Sequence, residues 1–164
     1  RISKSHQEIK RVITKTGAPK ELLTASDRFF VTEGSLKQLK LSGTVRTLYY
    51  YLLSDTIIFA VSSRVFQKNS KQCEAVVSLP GCWLSPSENT SDKDKQFLLE
   101  FIAEGDVYQF MFEDKDSSES WRELMLKTIG ELYQRRPDLI RKPFPRVTVE
   151  FKPNSQSPGL VRKA

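Results

Sequence analysis

Seven short runs rich in β-branched and aromatic residues, each bounded by turn residues, constrain the fold of this chain more than any other feature. They follow one another through the middle of the sequence, at intervals of roughly 10 residues. Runs of this kind favour strands, and this spacing is typical of antiparallel barrels and sandwiches. The predicted strands comprise residues 36–41, 45–53, 56–63, 73–79, 80–84, 96–103 and 106–112.

One amphipathic helix follows the strands. Asp116 and Glu119 have the spacing of a capping box that would begin it, and Pro137 would stop it. Antiparallel strands in a barrel leave an open end, and a single helix after seven strands would cover that end. The fold class is therefore mainly β with one helix. The apolar face of this helix comprises Trp121, Leu124, Met125, Ile129, Leu132 and Tyr133.

The segment before the strands predicts the end of another helix. Residues 7–16 place apolar side chains at Ile9 and at three and four positions later, with basic residues on the opposite face. Gly17 and Pro19 would end this helix, as a glycine just past a helix followed by a proline usually does. Residues 20–30 are then a linker or a short helical turn.

The segment after Pro137 is rich in proline and in basic residues. Residues 146–151, RVTVEF, predict an added strand or an ordered arm. The polar composition of residues 152–164 is typical of a disordered tail.

Length and composition fit one domain with extensions at its ends, or one small domain and a fragment of another. The chain has 164 residues, of which 38% are hydrophobic and 28% charged, and such a chain can bury a core. No apolar stretch approaches the roughly 20 residues of a membrane-spanning helix, and residues 1–20 lack the pattern of a signal peptide. Cys73 and Cys82 do not make a disulfide framework, and we expect them to be mostly buried thiols of a cytosolic protein.

Charge is distributed unevenly along the chain. The formal net charge of +6 arises at the ends, because residues 1–20 carry +5 and residues 135–164 carry +6, whereas residues 21–134 carry −5. Within that middle part, residues 35–72 carry +5 and residues 88–123 carry −7. A domain of this kind has one pole that attracts anions and one that repels them. The alternative is a set of solvated loops.

Tyr49, Tyr50 and Tyr51 put aromatic rings on both faces of one predicted strand. Alternation sends about half of the strand aromatics into the core. The remaining rings must be exposed or covered. The N-terminal helix, the C-terminal arm or a partner protein would supply that cover.

Seven strands followed by one tryptophan-bearing helix resemble the pleckstrin homology (PH) superfold. FFVTEGSLKQL is similar to the entry to the first strand in PH domains of Dbl-family Rho guanine-nucleotide exchange factors. YYYLLSDTIIFA is similar to their second strand, turn and third strand, with Asp55 in the turn. SSESWRELMLKTI resembles their C-terminal helix, with Trp121 at the position of the signature tryptophan.

The resemblance implies a fold and a domain plan. The fold is a PH-like seven-stranded antiparallel barrel or sandwich capped by a C-terminal α-helix. Residues 1–28 would be the end of the last helix of a Dbl homology (DH) domain and a linker, residues 29–136 the PH domain, and residues 137–164 a Pro-rich basic arm or tail. The family's exchange surface is a helical bundle much longer than residues 1–20, so we do not expect this chain to catalyse nucleotide exchange.

The sequence offers no catalytic constellation, so we expect no enzyme activity, no metal and no cofactor. His6 is the only histidine, which leaves no partner for a Ser-His or Cys-His nucleophile pair. Two cysteines without a nearby histidine cannot supply four zinc ligands, and there is no Gly-rich phosphate loop. The acidic clusters lie beside lysines in loops, whereas a catalytic acid needs a desolvating pocket.

Anion binding is the better hypothesis, because polyphosphorylated headgroups need several converging cations. The resemblance implies that these come from the first strand, the loop after it, the second strand and the third-to-fourth loop. Alternation puts Lys37 and Lys40 on opposite strand faces, and Arg46 lacks the second basic residue of the tight-binding K/R-x-R pattern. We therefore expect weak, mainly electrostatic binding. The candidate lipid-headgroup residues are Lys37, Lys40, Arg46, Lys68 and Lys71.

Two function classes follow. The first is a regulatory PH module of a Rho exchange factor, cytoplasmic and peripherally membrane-associated. Its partners would be anionic membrane lipids (phosphoinositides), the adjacent DH domain and a Rho-family GTPase. The second is a protein-interaction module on the same superfold, which binds a GTPase or, like PTB and EVH1 domains, a peptide. We expect a monomer and no specific nucleic-acid partner.

Overall fold

The structure, a computed structural model, describes residues 2–63, 70–86, 97–103 and 105–140. The predictions for residues 146–151 and for the tail lie outside these ranges. The helices are α1 (Ile2–Thr16) and α2 (Lys115–Arg135), with 3₁₀ turns at Lys20–Leu23 and Pro137–Leu139. The strands are β1 (Phe30–Leu39), β2 (Val45–Leu53), β3 (Thr56–Ser62), β4 (Lys71–Ser78), β5 (Trp83–Pro86), β6 (Phe97–Ala103) and β7 (Asp106–Phe112).

The seven strands form one antiparallel sheet in the order β4-β3-β2-β1-β7-β6-β5. β1 pairs with β2 along its length and with β7 at its end, through Lys37, Gln38 and Leu39. Strands β1–β3 and strands β5–β7 contribute buried side chains to the same cluster, the barrel core, and Ala75 and Val77 of β4 pack partly buried against it. The sheet therefore folds over on itself around one core, which confirms the predicted PH-like fold.

Aromatic rings fill the barrel core, and α2 closes it. Phe59 and Phe101 come from the two halves of the sheet, are fully buried and meet edge to face with ring centroids 6.0 Å apart. The Trp121 ring of α2 lies 5.9 Å from that of Tyr50 and 5.4 Å from that of Phe110. Edge-to-face pairs at such distances add to the free energy gained by burying the rings.

The predicted apolar face of α2 is confirmed, but its predicted start is wrong. The helix begins at Lys115, and Asp114 is the N-cap, whose side chain accepts a hydrogen bond from Ser117 N at 2.7 Å. This hydrogen bond holds the pKa of Asp114 below its usual value. Asp116 lies in the first turn instead, because the cap two residues earlier already satisfies a free N–H group. Trp121, Met125, Ile129 and Leu132 are buried, and Leu124 and Tyr133 pack partly buried against the barrel core.

α1 covers the outer face of β2 and β3. Ile9 and Val12 are fully buried there and share a second cluster, the outer core, with Tyr51 and Ile58. Tyr50 belongs to the barrel core on the other side of the same strand. The N-terminal helix, one of the three covers that the consecutive tyrosines allowed, therefore packs on Tyr51.

Glycines shift two strands from their predicted bounds. β1 begins at Phe30, six residues earlier than predicted, and Gly34 within it pairs with Tyr50. A Cβ on Gly34 would lie 2.8 Å from Tyr50 Oη, so glycine lets the strand pass over that ring. β5 begins three residues later than predicted, because Gly81 adopts a φ of +87° in the turn before it.

Both cysteines are less buried than predicted. Cys73 and Cys82 are free and half-buried. Burial raises the pKa of Cys82 to about 12 and also raises the pKa of Cys73. A raised pKa keeps a thiol protonated, and a protonated thiol is a poor nucleophile.

Candidate anion-binding surface

The turn between β1 and β2 carries Lys40 into solvent. Lys40 N donates to Thr44 O at 2.9 Å, and Gly43 N donates to Lys40 O at 2.8 Å. Gly43 has a φ of +91°, a conformation that glycine adopts at little cost. Lys40 lies beyond the end of β1, so the predicted strand alternation does not fix its direction. The turn presents Lys40 and the fully exposed Leu41 together.

Lys37 and Arg46 lie on opposite faces of the β1–β2 hairpin. Lys37 pairs with Thr47, and its Nζ donates to Thr47 Oγ1 at 2.7 Å. Arg46 pairs with Gln38, one position along, and successive residues of a strand point to opposite faces. Leu48 is in the barrel core, so Arg46 lies on the barrel side and Lys37 on the outer side. These two cations do not converge on one anion.

The Arg46 guanidinium is already paired with an acidic side chain. Nη1 donates to Glu74 Oε1 at 2.9 Å, Nη2 donates to Glu74 Oε2, and Nε donates to Gln38 Oε1 at 2.8 Å. A bidentate pair of this kind uses the guanidinium fork that a phosphate would need. Arg46 is therefore a poor candidate for headgroup binding.

Glu74 reaches Arg46 from an irregularity in the β3–β4 ladder. Phe59 pairs with Ala75, whereas Ala60 pairs with Cys73, so Glu74 falls at the register shift. Such bulges re-aim a side chain. The basic window of residues 35–72 ends two residues before this carboxylate, so the net charge of the window does not include Glu74. The sequence signal for this ion pair was Glu74, one acidic residue inside an otherwise mostly apolar predicted strand.

Lys71 lies on the outer side of the sheet. Its Nζ is 4.2 Å from the ring centroid of Tyr49, which packs against the outer core. Tyr49 follows two residues after Thr47, the hydrogen-bond partner of Lys37, so both lysines lie on the same face of the sheet. Lys68 lies outside the described residues. We call Lys37 and Lys71 on this outer side, together with Lys40 in the exposed turn between β1 and β2, the outer cation set.

Arg11 ties α1 to β1 on this same side. It donates to Glu33 at 2.7 Å and to Glu8 at 2.8 Å, and these two bonds raise the pKa of Arg11. Its guanidinium also lies 5.9 Å from the ring centroid of Phe30. Arg11 is thereby engaged within the protein. The other basic side chains of α1 that the structure describes are exposed, namely Lys4, Lys10 and Lys15.

The linker between α1 and β1 is fixed to the β2–β3 turn. Arg28 Nε and Nη2 donate to the two carboxylate oxygens of Asp55 at 2.7 and 3.0 Å, and Nη1 donates to Leu22 O at 2.8 Å. Phe29 N donates to Ser54 Oγ at 3.0 Å, and Ser54 N donates to Phe29 O at 2.8 Å. Both residues of this glycine-free turn therefore bind the linker.

The end of α2 contacts the same linker. The Arg135 guanidinium lies 5.0 Å from the ring centroid of Phe29, and Arg136 Nη1 lies 3.9 Å from Asp27 Oδ2. Exposed contacts of this kind add little stability individually. Together with the Arg28 bonds they connect α1, the linker, the β2–β3 turn and α2.

Two features that would point to other functions are absent from the described ranges. No group of three or more His, Cys, Asp or Glu residues there is placed to hold a metal ion. No helix in that part of the chain is long and apolar enough to cross a membrane.

Comparison with known proteins finds similar structures. No family model and no curated protein matches the chain. Vav1 with an allosteric inhibitor has a TM-score of 0.59 at 14% identity, over 77% of this chain and 33% of Vav1. The truncated linker-DH/PH domains of p115-RhoGEF have a TM-score of 0.56 at 14% identity, over 79% and 41%. The DH/PH domains of PDZ-RhoGEF, in complex with GTPγS-activated RhoA, have a TM-score of 0.55 at 11% identity, over 79% and 40%.

These similarities show a shared fold. The chain spans only about a third to two-fifths of the length of these three structures. Yet 77% of 164 residues is about 126, more than the 106 residues from Phe30 to Arg135. The similarity therefore extends beyond the part from β1 to α2 into at least one flanking segment.

Proposed function

We propose that this chain is the regulatory PH module of a Rho guanine-nucleotide exchange factor, with α1 as the end of the last helix of the DH domain. The outer core carries this proposal. Ile9 and Val12 are as buried as residues of the barrel core, so the barrel cannot turn relative to α1 without exposing them. A rigid connection of this kind suits a module that positions a neighbouring domain. The similarity to structures with DH/PH domains supports the same assignment.

We further propose that the module binds anionic phospholipids weakly through the outer cation set. Lys37, Lys40 and Lys71 keep their charges available to a surface, whereas Arg46 is paired with Glu74. Each basic residue close to an anionic leaflet contributes about 1 kcal/mol, so a few lysines give weak, salt-sensitive association at the cytoplasmic membrane surface. Lys68 stays a predicted contributor.

Vesicle co-sedimentation tests the lipid proposal. We expect binding to phosphoinositide-containing vesicles but not to neutral phosphatidylcholine vesicles, and we expect it to weaken as salt rises. The variant K37E/K40E/K71E should reduce partitioning at least tenfold. The control variant K20E/K115E/K127E makes the same charge change at three exposed lysines elsewhere, and it should bind nearly as the wild type does.

Three results would contradict this assignment. Equal losses in the two triple variants would show that net charge, and not the outer cation set, governs binding. A large loss in Arg46→Gln would show that the paired arginine binds the headgroup after all. No binding even at low salt would favour the protein-interaction module instead.

The exchange-factor assignment is tested in the parent protein. We expect the sequence upstream of Arg1 to form a helical bundle that accelerates nucleotide release from a Rho-family GTPase. A different domain in that place would overturn the assignment, whatever the vesicle experiment shows.

A further inference from the structure

Three apolar side chains form a row across the outer face of β5, β6 and β7. Trp83 pairs with Ile102, and Ile102 pairs with Val107, so the three lie side by side on one face. Their neighbours Leu84 and Phe101 are buried in the barrel core, which fixes the direction of the row as outward. Trp83 is 60% exposed and Val107 is 62% exposed. We call Trp83, Ile102 and Val107 the apolar row.

The surroundings of the row indicate what would cover it. Single exposed apolar residues are common on protein surfaces, but a tryptophan aligned with two aliphatic side chains over three strands is a patch. Glu100 lies on the same face, two residues before Ile102, and β6 and β7 contain no basic residue. A complementary surface would therefore be apolar at its centre and basic around it.

One segment of this chain has that chemistry. Residues 141–164 carry six basic residues and one acidic residue, and the structure does not describe them. Within them, RVTVEF places Val147, Val149 and Phe151 at alternate positions, which puts all three on one side of an extended segment. We propose that residues 146–151 dock on the apolar row.

The segment can reach the row. Gly81, two residues before Trp83, donates its N–H to Tyr133 Oη at 3.0 Å, which places the end of α2 beside the beginning of β5. Leu139 packs against the barrel core, and Ile140 is the last described residue. The seven residues from there to Val147 span up to roughly 23 Å when extended.

Residues 146–151 and the apolar row belong to the same chain, so docking requires only a low intrinsic affinity between them. Two sites joined by a short linker meet at an effective concentration of about millimolar, so a small apolar contact supported by charge attraction suffices. The docked segment would keep other proteins from the row. This inference does not depend on lipid binding or on the exchange-factor assignment.

Tryptophan fluorescence tests the proposal in the full chain. The chain has two tryptophans, and Trp121 is only 6% exposed, so acrylamide quenching reports mainly on Trp83. The variant V147D/V149D should raise the quenching constant about twofold, because a carboxylate at these positions opposes docking on an apolar, acidic face. The control variant S155D/S157D adds the same charge at polar positions of the same segment and should leave quenching unchanged.

A second measurement shows whether either variant changes the folding of the protein. Thermal unfolding should be nearly the same in both variants, since neither touches the barrel core. Equal quenching in the wild type and in V147D/V149D would overturn the proposal. Protection of Trp83 that grows with protein concentration in the wild type would overturn it too, because a second copy of the chain would then be the cover.

Discussion

The two halves of the sheet have the same strand pairing and the same alternation, but within the residues that the structure describes only the half with β2 and β3 is covered on its outside. On β2 and β3 the outward-facing Tyr51 and Ile58 are buried beneath α1. On β5 and β7 the outward-facing Trp83 and Val107 are more than half exposed. Apolar outward residues therefore stabilise the first half of the sheet, whereas in the second half no described residue covers them and they are available for the docking of residues 146–151 proposed above.

The largest expected effect comes from removing matched apolar side chains from the two outer faces. Ile9→Ala empties a fully buried site of the outer core and should lower the free energy of unfolding by about 2–5 kcal/mol. Val107→Ala removes an exposed side chain and should change it by less than about 0.5 kcal/mol. Urea denaturation measures both. Equal values would mean that α1 is not an integral part of the fold.

Much of the fold could be predicted, because the positions of its strands and helices depend on local sequence patterns. Runs of β-forming residues between turns located all seven strands, although β1 and β5 begin at other residues than predicted, and helical spacing located the buried face of α2. The tyrosine run also predicted that the rings on one of its faces would be exposed or covered. It could not choose α1 over other covers, because that choice depends on contacts between residues far apart in sequence, such as Ile9 and Ile58.

The candidate site was less predictable for the same reason. Charge summed over a window does not show which cations are paired. Arg46 and Glu74 are 28 residues apart on different strands, and a register shift brings them together. The cation–π contact of Lys71 with Tyr49 also joins two strands. The five predicted residues thus included one arginine that the fold has already neutralised.

A second prediction compares two glycine-to-alanine substitutions that we expect to change the free energy of unfolding in opposite directions. Gly34→Ala places a methyl group 2.8 Å from Tyr50 Oη, and the Tyr50 ring cannot move freely because it packs against Trp121. We expect a loss of about 1–3 kcal/mol. Gly130 is exposed in α2 with open space around it, so Gly130→Ala should stabilise the protein by about 0.5–1 kcal/mol. Thermal unfolding distinguishes the two, and the same sign for both would contradict the close approach at Gly34.

The smallest expected effect concerns the linker that brings α1 onto the covered half. A double-mutant cycle of Arg28→Ala and Asp55→Ala should give a coupling energy of about 1 kcal/mol, because both side chains are largely shielded and share two hydrogen bonds. The same cycle on the exposed pair Lys115 and Glu119 should give about 0.3 kcal/mol.

Urea denaturation at low and high salt measures both couplings. The Lys115–Glu119 value should nearly vanish at high salt, since exposed pairs are screened, while most of the Arg28–Asp55 value should persist. If the Arg28–Asp55 coupling were no larger than that of the exposed pair, the linker would not help to hold α1. The apolar contacts of Ile9 and Val12 would then have to account for all of the stability that α1 adds to the covered half of the sheet.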